Sequence, residues 1–202
     1  MIKTIIFDNN GVLTYGDAER TIPNFAKYFG VDETLLKKLF NELVVPADLG
    51  EITTDEFFTR LAKGLKKSYD PKELWKIYID GFQLKEGMQE LVCVLKKNYE
   101  IAILTNFVDS FDLINRKLWH YEELFSNDKI FISSKLHMGK PNEDIFLYVL
   151  KQLGRNPEEV LFVDDRKSNV DAAKKLGMKG IVFTDLDNFK QELENVLEYS
   201  YV

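Results

Sequence analysis

The chain has 202 residues, 45% hydrophobic and 30% charged, the balance of a globular protein with one sizeable core or a core and a smaller unit. A net charge of −6 without any Lys/Arg cluster argues against an electrostatic grip on nucleic acid, so no nucleic-acid partner is expected. No apolar run reaches the roughly 18 residues of a membrane helix, no signal-peptide pattern precedes the first strand, and the single Cys93 excludes an internal disulfide; a cytoplasmic chain with no membrane partner is expected.

The first predicted strand is Ile5-Ile6-Phe7, an apolar run like that of a parallel strand buried on both faces. Asp8 ends it. Asn9, Asn10 and Gly11 follow with turn chemistry, since Asn and Gly tolerate left-handed backbone. A carboxylate at the end of a buried strand stands where α/β sheets place their ligand sites. From about Gly16 to Leu84 the sequence predicts only helices. The first, over 23–29, is stopped by Gly30; the second, around 35–43, is capped by Asp32 with Pro46 beyond its end. Thr53 and Glu56 form a capping box for the third, and Asp70, Pro71 and Glu73 give the fourth its cap, first-turn proline and box partner. This insertion, 16–84, is large enough to be a small helical domain, with 1–15 and 85–202 forming the other.

From Glu86 onward helices and strands alternate. Strands are predicted at 100–104, 129–133, 160–163 and 180–183, and helices at 86–97, 109–118, 142–153, 169–176 and 187–198. Cys93, among Met88, Leu91, Val92 and Leu95, is expected to be buried, and Trp75 and Trp119 to be packing residues. The alternation predicts an α/β fold, a doubly wound parallel sheet with helices on both faces.

Three predicted strands end in polar groups: Asp8, then Thr105-Asn106, then Asp164-Asp165. Parallel strands bring these ends to one edge of the sheet. Carboxylates gathered there repel one another, and a bound cation holds them ionised. Hard oxygen ligands without a Cys or His cluster favour Mg²⁺ over zinc, and His120 and His137 lack metal-ligand spacing. Mg²⁺ uses few protein ligands and leaves room for a substrate phosphate, to which Lys140 would bring positive charge.

Four stretches, FDNNGVLT (7–14), ILTN (103–106), GKPNEDIF (139–146) and LFVDDRKSNVDAAKKLGM (161–178), together resemble the haloacid dehalogenase-like (HAD) hydrolases over nearly the whole chain. The resemblance implies a Rossmann-like core and makes the helical insertion the family's mobile cap, which closes over the site and selects substrates. It also implies roles. Asp8 would attack phosphorus and become a transient aspartyl phosphate. Thr105 and Asn106 would shape the phosphoryl pocket, and Lys140 would offset charge on nucleophile and phosphoryl group. Asp165 would be the main metal acid beside Asp8 and the Asn10 carbonyl, Asp164 a second ligand or outer-shell partner, and Asn169 their orienting group.

The family's phosphatases carry a second Asp where this chain has Asn10. An amide can neither protonate a leaving oxygen nor activate water. The expected function is therefore a Mg²⁺-dependent phosphatase for a small phosphorylated metabolite, handicapped in turnover. Two alternatives stand beside it: a catalytically silent phosphate-binding module, and a 2-haloacid dehalogenase, which also lacks the second Asp. On the cap, Arg20, Arg60 and Lys63 are candidates to face a phosphorylated ligand, Phe57 and Phe58 are expected in the core, and hinges are expected near Tyr15–Asp17 and Gly81–Lys85.

Overall fold

Strand β1 (Thr4–Phe7) lies at the centre of a five-stranded parallel sheet with β2 (Glu100–Thr105), β3 (Ile130–Ile132), β4 (Val160–Asp164) and β5 (Lys179–Val182), in the order β3-β2-β1-β4-β5. The structure, a computed structural model, describes residues 1–16, 20–118 and 125–197. Registers pairing Phe7 with Ile103 and with Val163 align the three central strands so that all end at one edge. The chain builds outward from β1 to β3 on one side, then crosses to β4 on the other. Strand order thus reverses at β1, the place where such sheets open a crevice.

Alternation along the strands fills two layers. Ile5, Phe7, Ile103, Leu161 and Val163 face α5 (Met88–Leu95) and α10 (Leu186–Leu197), packing on Met88, Val92, Phe189 and Leu193. Ile6, Leu104 and Phe162 face the opposite way, onto Ile145, Phe146 and Val149 of α8 (Glu143–Leu153) and Val170 and Ala173 of α9 (Lys167–Lys175). α5 buries Met88, Leu91, Val92 and Leu95, a stripe with helical spacing that turns Cys93 outward. Cys93 is therefore exposed, not buried as expected.

Helices α1 (Thr21–Phe29), α2 (Glu33–Asp48), α3 (Thr54–Leu65) and α4 (Pro71–Gly81) gather around Phe25, Phe58, Leu61, Leu74 and Tyr78. Phe57 and Phe58 are core residues, and Trp75 packs on Phe58 while its indole N–H donates to Asp55 Oδ1 at 2.7 Å. This cluster continues into Phe107 and, on α6 (Phe111–Leu118), Phe111 and Ile114, so the inserted helices share apolar contact with the sheet's own layer.

Several local expectations need correction. Pro46 does not lie beyond α2; the helix runs through it to Asp48. Proline removes one N–H and crowds the carbonyl four residues back, but this exit is held from outside. The Asp48 carbonyl accepts a hydrogen bond from Ser133 Oγ, and the Leu49 carbonyl lies 2.9 Å from His137 Nδ1. Ser133 itself begins the short helix α7 (Ser133–Leu136) instead of extending β3, and its hydroxyl also accepts from Phe107 N at 2.9 Å. Asp32 and the Thr53/Glu56 box cap as expected. Glu73 makes no box with Asp70, whose backbone N–H donates to the Tyr28 hydroxyl at 2.9 Å. Asp17, Trp119 and His120 lie outside the described residues.

Candidate active site

β1 delivers Asp8 to the edge of the sheet, where its backbone N–H still donates to Val163 O at 2.8 Å. The chain then turns sharply. Leu13 N and Thr14 N both donate to Asn9 O at 2.9 Å, and Gly11 N donates to Thr14 O at 2.8 Å. Of the three turn residues only Gly11 takes the left-handed conformation, with φ at 90°. A Cβ on Gly11 would sit 2.3 Å from Asp165 Oδ2, so the glycine is what lets the last-motif carboxylate approach the first loop.

Asp8, Asp164 and Asp165 each bring a carboxylate oxygen within 4.8 Å of the others. Lys140 binds the cluster together. Its Nζ donates to Asp164 Oδ2 at 2.7 Å and to Leu104 O at 2.8 Å, and lies 2.9 Å from Asp8 Oδ1. Burial pushes the lysine's pKa down, but Asp8 and Asp164 together outweigh that and hold it above its ordinary value. Asp8 moves the opposite way. Burial, then the neighbouring Asp164 and Asp165, outweigh the pull of Lys140 and push its carboxyl up to about 7. Asp165 is solvent-exposed yet recessed in the cleft; that recess and Asp164 raise it as well, against Arg166 and Lys140.

Asp164 is fully buried and its oxygens are occupied by protein donors. Oδ1 accepts from Arg166 N at 2.8 Å, both oxygens lie 3.0 Å from Asn169 Nδ2, and Oδ2 holds Lys140. Asn106 makes a reciprocal pair with the Lys140 backbone, accepting from its N–H and donating to its carbonyl, both at 2.9 Å. It fixes the lysine's loop as well as lining the cleft. Thr105 Oγ1 is buried at the same edge and, among the described residues, has no hydrogen-bond partner. Asn10 turns its Oδ1 inward, accepting from Thr14 Oγ1 and Asn9 Nδ2, each at 3.1 Å.

Over this edge lies a cleft of about 600 Å³, floored by Asp8, Asn10, Lys140 and Asp165 and roofed by α1 and α2. Its roof includes Ile22, Phe40, Val44, Lys37, Asn41 and Asp48. None of the predicted basic residues is there. Arg20 stacks over the Tyr15 ring at 5.0 Å, and Arg60 and Lys63 are exposed on α3, outside the cleft lining. The roof residues of α2 carry no signal in the sequence, because an amphipathic helix shows which face is apolar but not what its polar edge overhangs.

Of the seven residues picked from the sequence, Asp8, Asn10, Asn106, Lys140 and Asp165 line the cleft, Asp164 lies behind them against Lys140, and Thr105 is buried at the end of β2. The donor set is one of hard carboxylate oxygens within 4.8 Å of one another, with Asp165 brought against the first loop by the bare Gly11, which suits a small hard cation. The chain is 28% identical to D-ribitol-5-phosphate phosphatase of Bacteroides thetaiotaomicron, over 98% of this chain and 99% of that protein. It is also 28% identical to the drimenol cyclase of Aspergillus calidoustus, but spans only 37% of that longer protein. In fold it superimposes on an HAD family enzyme of B. thetaiotaomicron solved with magnesium and inorganic phosphate, with a TM-score of 0.77 and 24% identity over 94% of this chain and 99% of that one. The family model for haloacid dehalogenase-like hydrolases matches residues 2–177; the chain belongs to that family of enzymes.

Proposed function

We propose that the protein is a Mg²⁺-dependent phosphatase that hydrolyses a small phosphate ester through an aspartyl phosphate on Asp8. One observation carries this reading: a buried carboxylate and a buried lysine 2.9 Å apart at the floor of the cleft. At the end of β2, Thr105 Oγ1 is buried and, among the described residues, has no hydrogen-bond partner, a costly state that a phosphoryl oxygen would relieve. The phosphatase relative and the magnesium- and phosphate-bound neighbour support the same chemistry.

Asp8, Asp165 and the Asn10 carbonyl would hold the cation, with Asp164 behind them locking Lys140 and Asn169 in place. When bound, Mg²⁺ supplies positive charge that keeps the carboxylates ionised and neutralises phosphoryl oxygens. Asp8 attacks phosphorus, Lys140 and Thr105 hold the phosphoryl oxygens, and α1 and α2 limit the leaving group to what a cleft of about 600 Å³ accepts. Asn10 leaves that position without a proton donor, so turnover would depend on the leaving group. Clustered carboxylates around the nucleophile disfavour a haloacid, itself an anion.

A panel of sugar phosphates, sugar-alcohol phosphates and nucleotides, with and without Mg²⁺, tests the reading. Hydrolysis that requires Mg²⁺ and disappears in Asp8→Asn is expected. No hydrolysis of any ester by the parent or by Asn10→Asp would end it.

A further inference from the structure

The phosphatase reading, on which this inference rests, leaves the reaction short of one proton donor and acceptor. Asn10 Oδ1 is occupied by Thr14 and Asn9, so its amide offers only N–H toward the cleft. An N–H orients a water but takes no proton from it. Asn10, however, shares a small recess with a carboxylate of the roof. Asp48, the last residue of α2, lines this recess together with Asn10, Thr54 and Asn106, and the rest of its wall is largely apolar. The recess holds about 20 Å³, room for one water among several polar groups.

Asp48 also lines the main cleft with Asp8, Lys140, Asp165 and Arg166, and with Lys37 of its own helix. Of the carboxylates there, Asp8 is the nucleophile and Asp165 a metal acid. Asp48 is the one left for proton transfer. Its backbone is anchored, since its carbonyl accepts from Ser133 and the next carbonyl lies against His137.

We propose that Asp48 is the general acid and base that Asn10 cannot be. In the first step a bond forms between Asp8 and phosphorus as the ester P–O bond breaks, and protonated Asp48 gives its proton to the leaving oxygen, directly or through the single water. In the second step a water attacks phosphorus, its proton returns to Asp48, and the bond to Asp8 breaks to release phosphate. Ester and water become alcohol and phosphate, and Asp48 ends protonated as it began. Because this acid sits on the roof, proton transfer is available only with the roof closed.

Asp48→Asn tests the proposal, since it keeps the side chain's shape and the carbonyl that Ser133 holds. Turnover of an alkyl phosphate should fall by ~10² or more, within the range for lost acid–base help. With p-nitrophenyl phosphate, first-turnover release of p-nitrophenol should fall much less, while later turnovers slow. Inhibition by inorganic phosphate and the Mg²⁺-induced rise in melting temperature should stay as in the parent. Asp48→Glu should recover part of the loss, and the parent's basic pH limb should vanish in Asp48→Asn. In an Asn10→Asp background the loss from Asp48→Asn should shrink, because the restored carboxylate shares the task.

An unchanged kcat in Asp48→Asn overturns the proposal, as does equal loss on alkyl and aryl first turnovers or in both backgrounds. A parent that turns over nothing while Asn10→Asp is active also overturns it, yet leaves the phosphatase reading standing. If neither protein hydrolyses any ester, the phosphatase reading falls and this inference with it.

Discussion

Lys140 sits between two carboxylates it stabilises, and its neighbour Asp8 titrates far from where a carboxylate normally does. In the metal-free protein the folded state holds the Asp8 proton up to about pH 7, whereas the unfolded chain releases it near 3.8. The folded state therefore binds more protons between these values, and stability must fall as pH rises from about 4 to about 7. Asp8→Asn should flatten that slope in a series of urea titrations, and Mg²⁺ binding near pH 6 should release protons, measurable by calorimetry in buffers of different ionisation heats. Gly11→Ala strikes the same cluster by shape, since its Cβ would lie 2.3 Å from the Asp165 carboxylate. Mg²⁺ at a hundredfold excess over its dissociation constant should stabilise the parent by about 2.7 kcal/mol. A thermal melt should show that gain nearly lost in Gly11→Ala and Asp165→Ala. Asp8, Thr105, Lys140 and Asp165 were legible in the sequence because each ends or follows a buried apolar run or a motif. Asn106 reads from the sequence as a candidate for the site but not as the clamp on Lys140, since that pairing spans 34 positions.

At the scale of elements, strands could be read more sharply than helix ends. A buried parallel strand is a short unbroken apolar run, and all five were predicted within a residue or two of their observed bounds. Helix ends depend on partners elsewhere in the chain. Pro46 reads as a terminator, yet α2 passes through it because Ser133 and His137 take the exposed carbonyls of Asp48 and Leu49. Gly50, with φ at 72°, lets that exit pass under α7; a Cβ there would meet Ser134 O at 2.4 Å. These contacts make Ser133 the joint between α2 and the sheet's layer. Ser133→Ala would take the hydroxyl donor from the Asp48 carbonyl and leave the buried Phe107 N–H without its acceptor, at about 1–3 kcal/mol for that unsatisfied group. Urea unfolding should show a loss in that range. Because Asp48 loses its anchor, kcat should fall more than phosphate affinity does.

Across the whole molecule, the inserted helices join the sheet through two crossing segments. Tyr15 N donates to Gln83 O at 3.0 Å and Lys85 N to Leu13 O at 2.9 Å, so an antiparallel bridge at Thr14 and Leu84 pins the crossing. Tyr15 is further held between Arg20 and Lys85, which stack on its ring at 5.0 and 5.1 Å. Swinging the roof would therefore bend the chain beyond the bridge, at Gly16 on one side and at Gly81–Phe82 on the other, where α4 gives way to extended backbone. The ends of the helical insertion mark both joints in the sequence; the bridge between them does not show there, because it pairs segments 70 positions apart. Gly81→Ala isolates the motion from the chemistry. A Cβ there meets only Asn24 Nδ2, Thr21 Oγ1 and Thr21 Cα, at 3.8 to 4.0 Å, so it fits. At this last helical position, whose backbone an alanine can adopt, the change should add about 0.4–1 kcal/mol of stability by restricting the unfolded chain. A stiffer end to α4 should slow opening and closing, lowering kcat while the inhibition constant of inorganic phosphate stays put. Should Gly81→Ala raise the melting temperature and leave kcat untouched, bending does not occur at this joint, and the roof must move about Gly16 alone or stay closed through the reaction.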